Sequence, residues 1–173
     1  MTRIFLILIF TFYLLPAVTT CLYSVAPGID VGNKSIDFSL KVLSSTETFE
    51  LSNYKGKKSV LVVFFATWCS YCTQEIPTLN RIYNEYGHKR LQIVAINIRE
   101  NEKKIASFVK RKKILYPIAV DTKAEVAEKF KVYGIPTNIL INTSGIIVFR
   151  GSDLPADKVI EKTLPKPEKK NRR

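Results

Sequence analysis

Two cysteines separated by two residues, Cys69 and Cys72, are the side chains of this sequence that most directly suggest chemistry. Upstream, residues 59–66 are β-branched and aromatic, which predicts a strand buried on both faces. Downstream, residues 76–86 carry apolar side chains at helical spacing. The pair therefore lies where a strand ends and a helix begins, and a helix N-terminus stabilises negative charge. Because the thiolate is the form that attacks disulfides, the sequence predicts a thiol–disulfide exchange centre.

The elements that must position this pair follow the order β-α-β-α-β-α-β-β-α, which predicts a mixed sheet with helices on both faces. A leading hairpin precedes them. In chain order we expect hairpin strands over 36–40 and 48–51, a strand over 59–66, a helix from the cysteines to about Tyr86, a strand over 91–98, a helix capped by Asn101, a strand over 118–120, a helix over 123–130, hairpin strands over 138–142 and 146–149, and a helix over 155–162.

The length of 173 residues suits one domain with a full hydrophobic core, plus tails. We expect a signal peptide or membrane anchor over 1–20, a linker over 21–35, the domain over 36–164 and a basic tail over 165–173.

The formal charge of +12 is high, and the Lys and Arg residues are spread over expected helix faces and the tail. No nucleic-acid-binding motif accompanies them, so nucleic acid is not an expected partner. A solvated surface, or a tail lying near an anionic membrane, accounts for the charge.

The N-terminus has the parts of an export signal: Arg3, an apolar run over 4–15 and a small-residue exit before Cys21. The apolar run is shorter than the roughly 20 residues that a membrane span needs. We therefore expect export. Cys21 could be the lipid-modified first residue of a bacterial lipoprotein, although Thr20 departs from the usual residue before that cysteine. Soluble release after cleavage and an uncleaved anchor are the alternatives.

Several motifs together resemble thioredoxin. They are Trp68 before the Cys69–Cys72 pair, Pro77 five residues after it, and the run 134–137 (Gly-Ile-Pro-Thr) ahead of a hairpin. The leading hairpin, the Ala-Thr-Trp-Cys approach to the pair and an inserted β-α unit around 106–120 resemble the exported TlpA/ResA-like branch of thiol–disulfide oxidoreductases. The resemblance covers roughly residues 36–164 and implies a thioredoxin-like α/β fold.

The resemblance also implies a role for each matching residue. Cys69 would be the exposed nucleophile of low pKa, and Cys72, more buried, would resolve the mixed disulfide. Pro136 matches the family's cis-proline, which faces the cysteines and leaves the backbone of Ile135 free to pair with an extended substrate. Trp68 would shield the site.

Two departures from thioredoxin bear on the chemistry. Val63 stands where thioredoxins carry a buried aspartate, and the exported branch instead uses a glutamate early in the first helix. Glu75 stands at that position, where a buried carboxylate of raised pKa could take a proton from Cys72. The residues between the cysteines are Ser70 and Tyr71 rather than Gly-Pro, which leaves the redox direction open.

Other uses of a cysteine pair fit less well. A structural zinc site needs four ligands, and haem attachment needs a histidine at Thr73, so no metal is expected. A peroxidase needs a threonine three residues before its cysteine, whereas Thr67 is two before Cys69. A purely structural disulfide remains an alternative.

The sequence thus predicts an exported, periplasmic or extracytoplasmic, membrane-attached oxidoreductase that needs no dissociable cofactor, because the electrons reside on the sulfurs. Expected partners are client proteins with cysteine pairs and a membrane electron-donor thiol protein. The resemblance favours a reductase, with apocytochrome c as the usual client of that branch. A disulfide-forming oxidase and a non-catalytic binding or chaperone module are the alternatives.

Overall fold

The computed structural model describes residues 27–87 and 90–166. Its centre is a five-stranded mixed sheet whose strands, in spatial order, are Ile118–Asp121 (β7), Leu91–Ile98 (β6), Ser59–Phe65 (β5), Thr137–Ile141 (β8) and Ile147–Gly151 (β9). The first three are parallel, and the last two are antiparallel to their neighbours. The expected α/β fold, a mixed sheet flanked by helices, is confirmed. The strands are β1 Pro27–Gly28, β2 Lys34–Ser35, β3 Ser39–Lys41, β4 Thr48–Glu50, β5 Ser59–Phe65, β6 Leu91–Ile98, β7 Ile118–Asp121, β8 Thr137–Ile141 and β9 Ile147–Gly151.

Helices cover both faces of this sheet. They are α1 Ser70–Tyr86, α2 Glu102–Lys112, α3 Glu125–Lys129 and α4 Asp157–Thr163, and a 3-10 helix spans Leu51–Tyr54. Every residue of β5 is buried, because alternate side chains enter separate cores. Leu61, Val63 and Phe65 pack with α1, α2 and α4. The intervening residues of β5 pack with α3 and the β3–β4 hairpin.

The leading hairpin and the inserted unit lie at one edge of the sheet. β3 and β4 pair antiparallel, as expected, but the strands are shorter than the alternation predicts. The amide of Leu43 donates to the carbonyl of Ile118 at 2.8 Å, which fastens the hairpin to β7. The inserted unit consists of α2 and β7, and its helix is capped by Asn101, whose Oδ1 accepts from the amide of Lys104 at 2.9 Å.

The described part of the expected linker is bonded to the turn between β8 and β9. The amide of Gly32 donates to Ile147 at 2.8 Å, and the amide of Ser35 donates to Gly145 at 2.9 Å. Ile141 pairs with Val60 near the start of β5, so this turn lies at the end of the sheet remote from the cysteines. Residues 27–35 are therefore part of the folded body.

The N-terminal apolar run, Cys21 and residues 167–173 of the basic tail lie outside the described residues. Within the described ranges, no helix is long and apolar enough to cross a membrane.

Candidate active site

The two cysteines lie at the N-terminus of α1, immediately beyond β5. Cys69 is the capping residue, and its Sγ accepts from the amide of Cys72 at 3.1 Å. The two sulfurs are joined in a disulfide, with the Cα atoms 5.3 Å apart. The Cys72 amide would also donate to a Cys69 thiolate, and together with the helix dipole it lowers the cost of the charged form.

The exposure of the pair differs from the sequence-based expectation. Cys69 and Cys72 are equally buried, each 5% exposed, so the expected contrast between an exposed Cys69 and a buried Cys72 is wrong for the disulfide form. The sulfur of Cys69 is turned toward α1 and the segment before β8, which cover it. Trp68 and Tyr71 are each 71% exposed beside the pair, so the Trp68 ring stands largely in solvent rather than over the sulfurs.

The segment before β8 contributes the facing wall. The Ile135–Pro136 peptide bond is cis, and the carbonyl oxygen of Ile135 lies 3.7 Å from Cys69 Sγ. Ile135 is half-buried, and within the described chain it makes no backbone hydrogen bond to a neighbouring strand. A cysteine of a partner chain that approaches Cys69 would therefore meet an open peptide edge.

Glu75 lies one turn into α1, half-buried, and bonds across to β8. Its Oε1 accepts from Asn138 Nδ2 at 2.9 Å, and its Oε2 is buried without a hydrogen-bond partner among the described residues. Burial raises the pKa of Glu75 to about 7, which the Asn138 bond opposes and the charge of Asp153 reinforces. Such a carboxyl exchanges its proton near neutral pH.

Glu75 opens into a groove of about 570 Å³, here called the Glu75 groove. Its walls come from the first turns of α1, the cis-proline segment and the loop after β9. The lining residues that matter here are Tyr71, Glu75, Ile135, Pro136, Asp153 and Leu154. The expected site residues Glu75, Ile135 and Pro136 thus share one groove, and Ile135 connects it to Cys69.

Glu100, a carboxylate that sequence analysis missed, holds the loop before the cysteines on the opposite side. It is buried at the end of β6. Its Oε2 accepts from the amide of Thr67 at 2.6 Å and from Asn97 Nδ2 at 2.8 Å. Its Oε1 accepts from the Thr67 hydroxyl at 2.6 Å and pairs with Lys104 at 2.6 Å. The hydroxyl and amide of Thr67 are thereby both occupied.

The same contacts fix the charge of Glu100. Burial alone would raise its pKa, but the bonds from Lys104, Thr67 and Asn97 outweigh burial and lower the pKa to about 2. Glu100 is therefore a permanent anion near neutral pH. A signal existed in the sequence: Glu100 follows β6 just as Thr67 follows the parallel strand β5, and the C-terminal ends of parallel strands meet at one edge.

Comparisons with known proteins establish the family of the chain. The profile of the AhpC/TSA family matches residues 31–150. The chain belongs to this thioredoxin-like family. It is 38% identical over 123 residues to the thioredoxin-like protein YneN of Bacillus subtilis, covering 69% of this chain and 70% of the relative. It is 32% identical over 139 residues to the thiol-disulfide oxidoreductase ResA of Halalkalibacterium halodurans, covering 79% and 78%.

A solved structure is similar along most of its length. A proposed thiol:disulfide interchange protein DsbE of Chlorobium tepidum superposes with a TM-score of 0.67 at 27% identity, covering 78% of this chain and 94% of that one. The chain carries the joined Cys-x-x-Cys pair that thiol–disulfide exchange requires, on the fold of these relatives. It is accordingly a thiol–disulfide oxidoreductase of the ResA and DsbE type, as the sequence predicts.

Proposed function

We propose that this protein is an extracytoplasmic reductase of protein disulfides, in which Cys69 attacks, Cys72 resolves and Glu75 carries the proton. The observation that carries the proposal is the cysteine pair at the start of α1, with Cys69 Sγ 3.7 Å from the open Ile135 peptide edge. An extended client segment can pair with that edge and bring its own disulfide to Cys69.

The reaction starts from the dithiol form. The Cys69 thiolate attacks one client sulfur, forming a mixed disulfide and releasing the other client sulfur as a thiolate. Cys72 gives its proton to the Glu75 carboxylate and attacks Cys69, forming the internal disulfide and releasing the second client thiolate. Two electrons pass from the enzyme to the client. A thiol protein of the membrane, acting as electron donor, restores the dithiol.

Trapping of the mixed disulfide tests this function. Cys72→Ser leaves Cys69 to attack but removes the resolving sulfur, so covalent adducts should accumulate with a disulfide-bonded protein such as insulin. Cys69→Ser is the matched control and should trap none. Absence of adducts with Cys72→Ser would favour the non-catalytic binding module, which uses the Ile135–Pro136 edge without turnover.

The direction of electron flow is a separate part of the proposal. Glu75 and Ile135 before Pro136 resemble the reducing branch, whose usual client is apocytochrome c. Equilibration of the full chain with glutathione buffers measures the reduction potential of the pair. A potential well above that of the glutathione pool would instead favour an oxidase.

Export and membrane attachment rest on the sequence. The apolar run over 4–15 precedes Cys21, and the relatives are of the ResA and DsbE type. We propose that the mature protein begins at or near Cys21 and is held at the membrane there. Mass spectrometry of the mature N-terminus distinguishes a lipidated Cys21 from a cleaved, unmodified end and from an uncleaved anchor.

A further inference from the structure

A second groove lies on the β6 side of β5, whereas the Glu75 groove lies on its β8 side, so the two grooves flank the strand that leads to the disulfide. The second groove has a volume of about 370 Å³ and runs between the Thr67 loop and α2, and is here called the α2 groove. Its lining includes Thr67, Lys103, Lys104, Ser107, Phe108 and Arg111. Thr67 is two residues before Cys69, so the Cα atoms of these two residues are separated by at most about 7 Å. The groove therefore begins within two residues of Cys69 along the chain.

The α2 groove is basic. Lys103 and Arg111 are exposed, and neither makes an ion pair with any residue that the structure describes. Lys104 is the exception, since its Nζ is held by Glu100. The Arg111 guanidinium lies 5.7 Å from the centre of the Phe108 ring, in a cation–π contact. Among the described residues that line the groove, none is acidic.

The Glu75 groove has the opposite character. Its charged lining residues are Glu75 and Asp153, and no cation of the described chain lines it. Tyr71, two residues after Cys69, lies on that side. The disulfide thus lies between a groove with two free cations and a groove with two carboxyls, so a bound chain meets opposite charges on its two sides.

We propose that the α2 groove binds an acidic segment of the thiol partner, next to the partner's reacting cysteine. This proposal rests on the proposed function, because it names a property of the partner that exchanges disulfides with Cys69. Carboxylates in the α2 groove would pair with Lys103 and Arg111, and the guanidinium can take a carboxylate in a bidentate arrangement. The carboxyls of the Glu75 groove repel the same segment when the partner docks in the reverse orientation. The two grooves therefore set the direction in which a partner docks.

The test uses synthetic cysteine peptides, each joined in a disulfide to 2-mercaptoethanol, which adds no charge. Three glutamates flank the cysteine on its N-terminal side in one peptide and on its C-terminal side in a second, and a third carries glutamines. The reduced full chain, in neutral detergent, is mixed with each peptide by stopped flow. Trp68 is the only tryptophan, so its fluorescence can follow oxidation of the adjacent pair.

The variant Lys103→Glu/Arg111→Glu reverses the two free charges of the α2 groove. The matched control is Lys110→Glu/Lys112→Glu, which makes the same change of net charge on the same helix at exposed positions outside the groove. Circular dichroism and thermal unfolding establish that both variants fold.

We expect one of the two acidic peptides to react roughly tenfold faster than the glutamine peptide at low salt. This difference in rate should disappear near 1 M NaCl. Reversal at Lys103 and Arg111 should bring the acidic-to-neutral ratio to one or below, whereas the control should keep most of the preference. Equal losses in both variants would indicate only the overall positive field, and would overturn the proposal.

The outcomes also separate this inference from the proposed function. If the wild-type chain reduces the glutamine peptide but shows no preference for either acidic peptide, the α2 groove proposal fails alone. If the glutamine peptide is not reduced at all, the proposed reductase function fails, and the docking proposal fails with it.

Discussion

The two sides of the disulfide hold one glutamate each, and the two carboxyls have opposite properties. Glu100 accepts from the Thr67 amide and hydroxyl and from Asn97, pairs with Lys104, and has a pKa of about 2. Glu75 has one hydrogen-bond donor and one buried oxygen without a partner, and a pKa of about 7. Glu100 is buried and Glu75 is half-buried, so burial raises the pKa of both, and the hydrogen-bond donors around each carboxyl decide the sign of the net shift.

This difference gives the two glutamates different roles, one structural and one chemical. A carboxylate with several donors keeps its charge at any physiological pH and cannot carry a proton, so Glu100 fixes the loop that leads into the cysteines. A carboxyl with one donor changes protonation near neutrality, so Glu75 suits proton transfer. Burial alone therefore does not identify a proton carrier.

The largest expected effect is on stability, from Glu100→Gln. The amide cannot accept all of the bonds from Thr67, Asn97 and Lys104, so we expect a loss of roughly 2–4 kcal/mol in the free energy of unfolding at pH 7. Urea denaturation measures it. Glu102→Gln, which breaks the exposed pair with Lys41, should cost under about 1 kcal/mol. A loss for Glu100→Gln no larger than that for Glu102→Gln would contradict the structural role of Glu100.

The next effect is kinetic. Glu75→Gln keeps an oxygen for Asn138 but cannot take a proton, so we expect resolution by Cys72 to slow by roughly 10- to 100-fold. Attack by Cys69 should change little. Quenched-flow analysis of mixed-disulfide decay separates these steps. Unchanged decay at pH 7 would remove Glu75 from the mechanism.

A smaller effect concerns the pH dependence of stability. The pKa of Glu75 is about 7 in the folded chain against 4.5 as its ordinary value, so the unfolded chain releases this proton first as pH rises. Wild type should therefore lose stability relative to Glu75→Gln as pH rises from 4.5 through 7, and the difference should level off about one pH unit higher. Glu100 acts with the opposite sign, and its contribution is lost as pH falls from 4.5 toward 2. Parallel curves for wild type and Glu75→Gln would contradict the first assignment.

The smallest effect comes from a neighbour. The charge of Asp153 raises the pKa of Glu75, so Asp153→Asn should lower that pKa, by less than about one unit. Carbon-13 NMR titration of the Glu75 carboxyl in both proteins measures the change. An upward shift of the Glu75 pKa would mean that the substitution acts through a change in the burial of Glu75 and not through the lost charge of Asp153.

The sequence was sufficient for what depends on local spacing. The cysteine pair, the apolar stripe of α1, the cap at Asn101 and the hairpin that begins with β8 all follow from neighbours in the chain, and each lies where it was expected. The resemblance to thioredoxin supplied the Ile135–Pro136 wall and the position of Glu75.

What could not be predicted depends on partners distant in sequence. Glu75 meets Asn138 across 63 positions, and Glu100 meets Thr67 across 33. A glutamate before a helix is ordinarily a solvated residue, so only the packed loop reveals Glu100 as a buried anion. The burial of Cys69 was likewise missed, because the chain that covers it arrives 66 residues later.

The bonding of residues 32–35 to the turn after β8 has a mechanical consequence. If the chain is held at the membrane through its N-terminus, as proposed, force transmitted through residue 27 acts on the end of the sheet where β5 starts. That end is roughly 20 Å along β5 from its cysteine end. That force acts on the β8–β9 turn and not on α1. The disulfide, at the opposite end of the sheet, would then be directed away from the membrane.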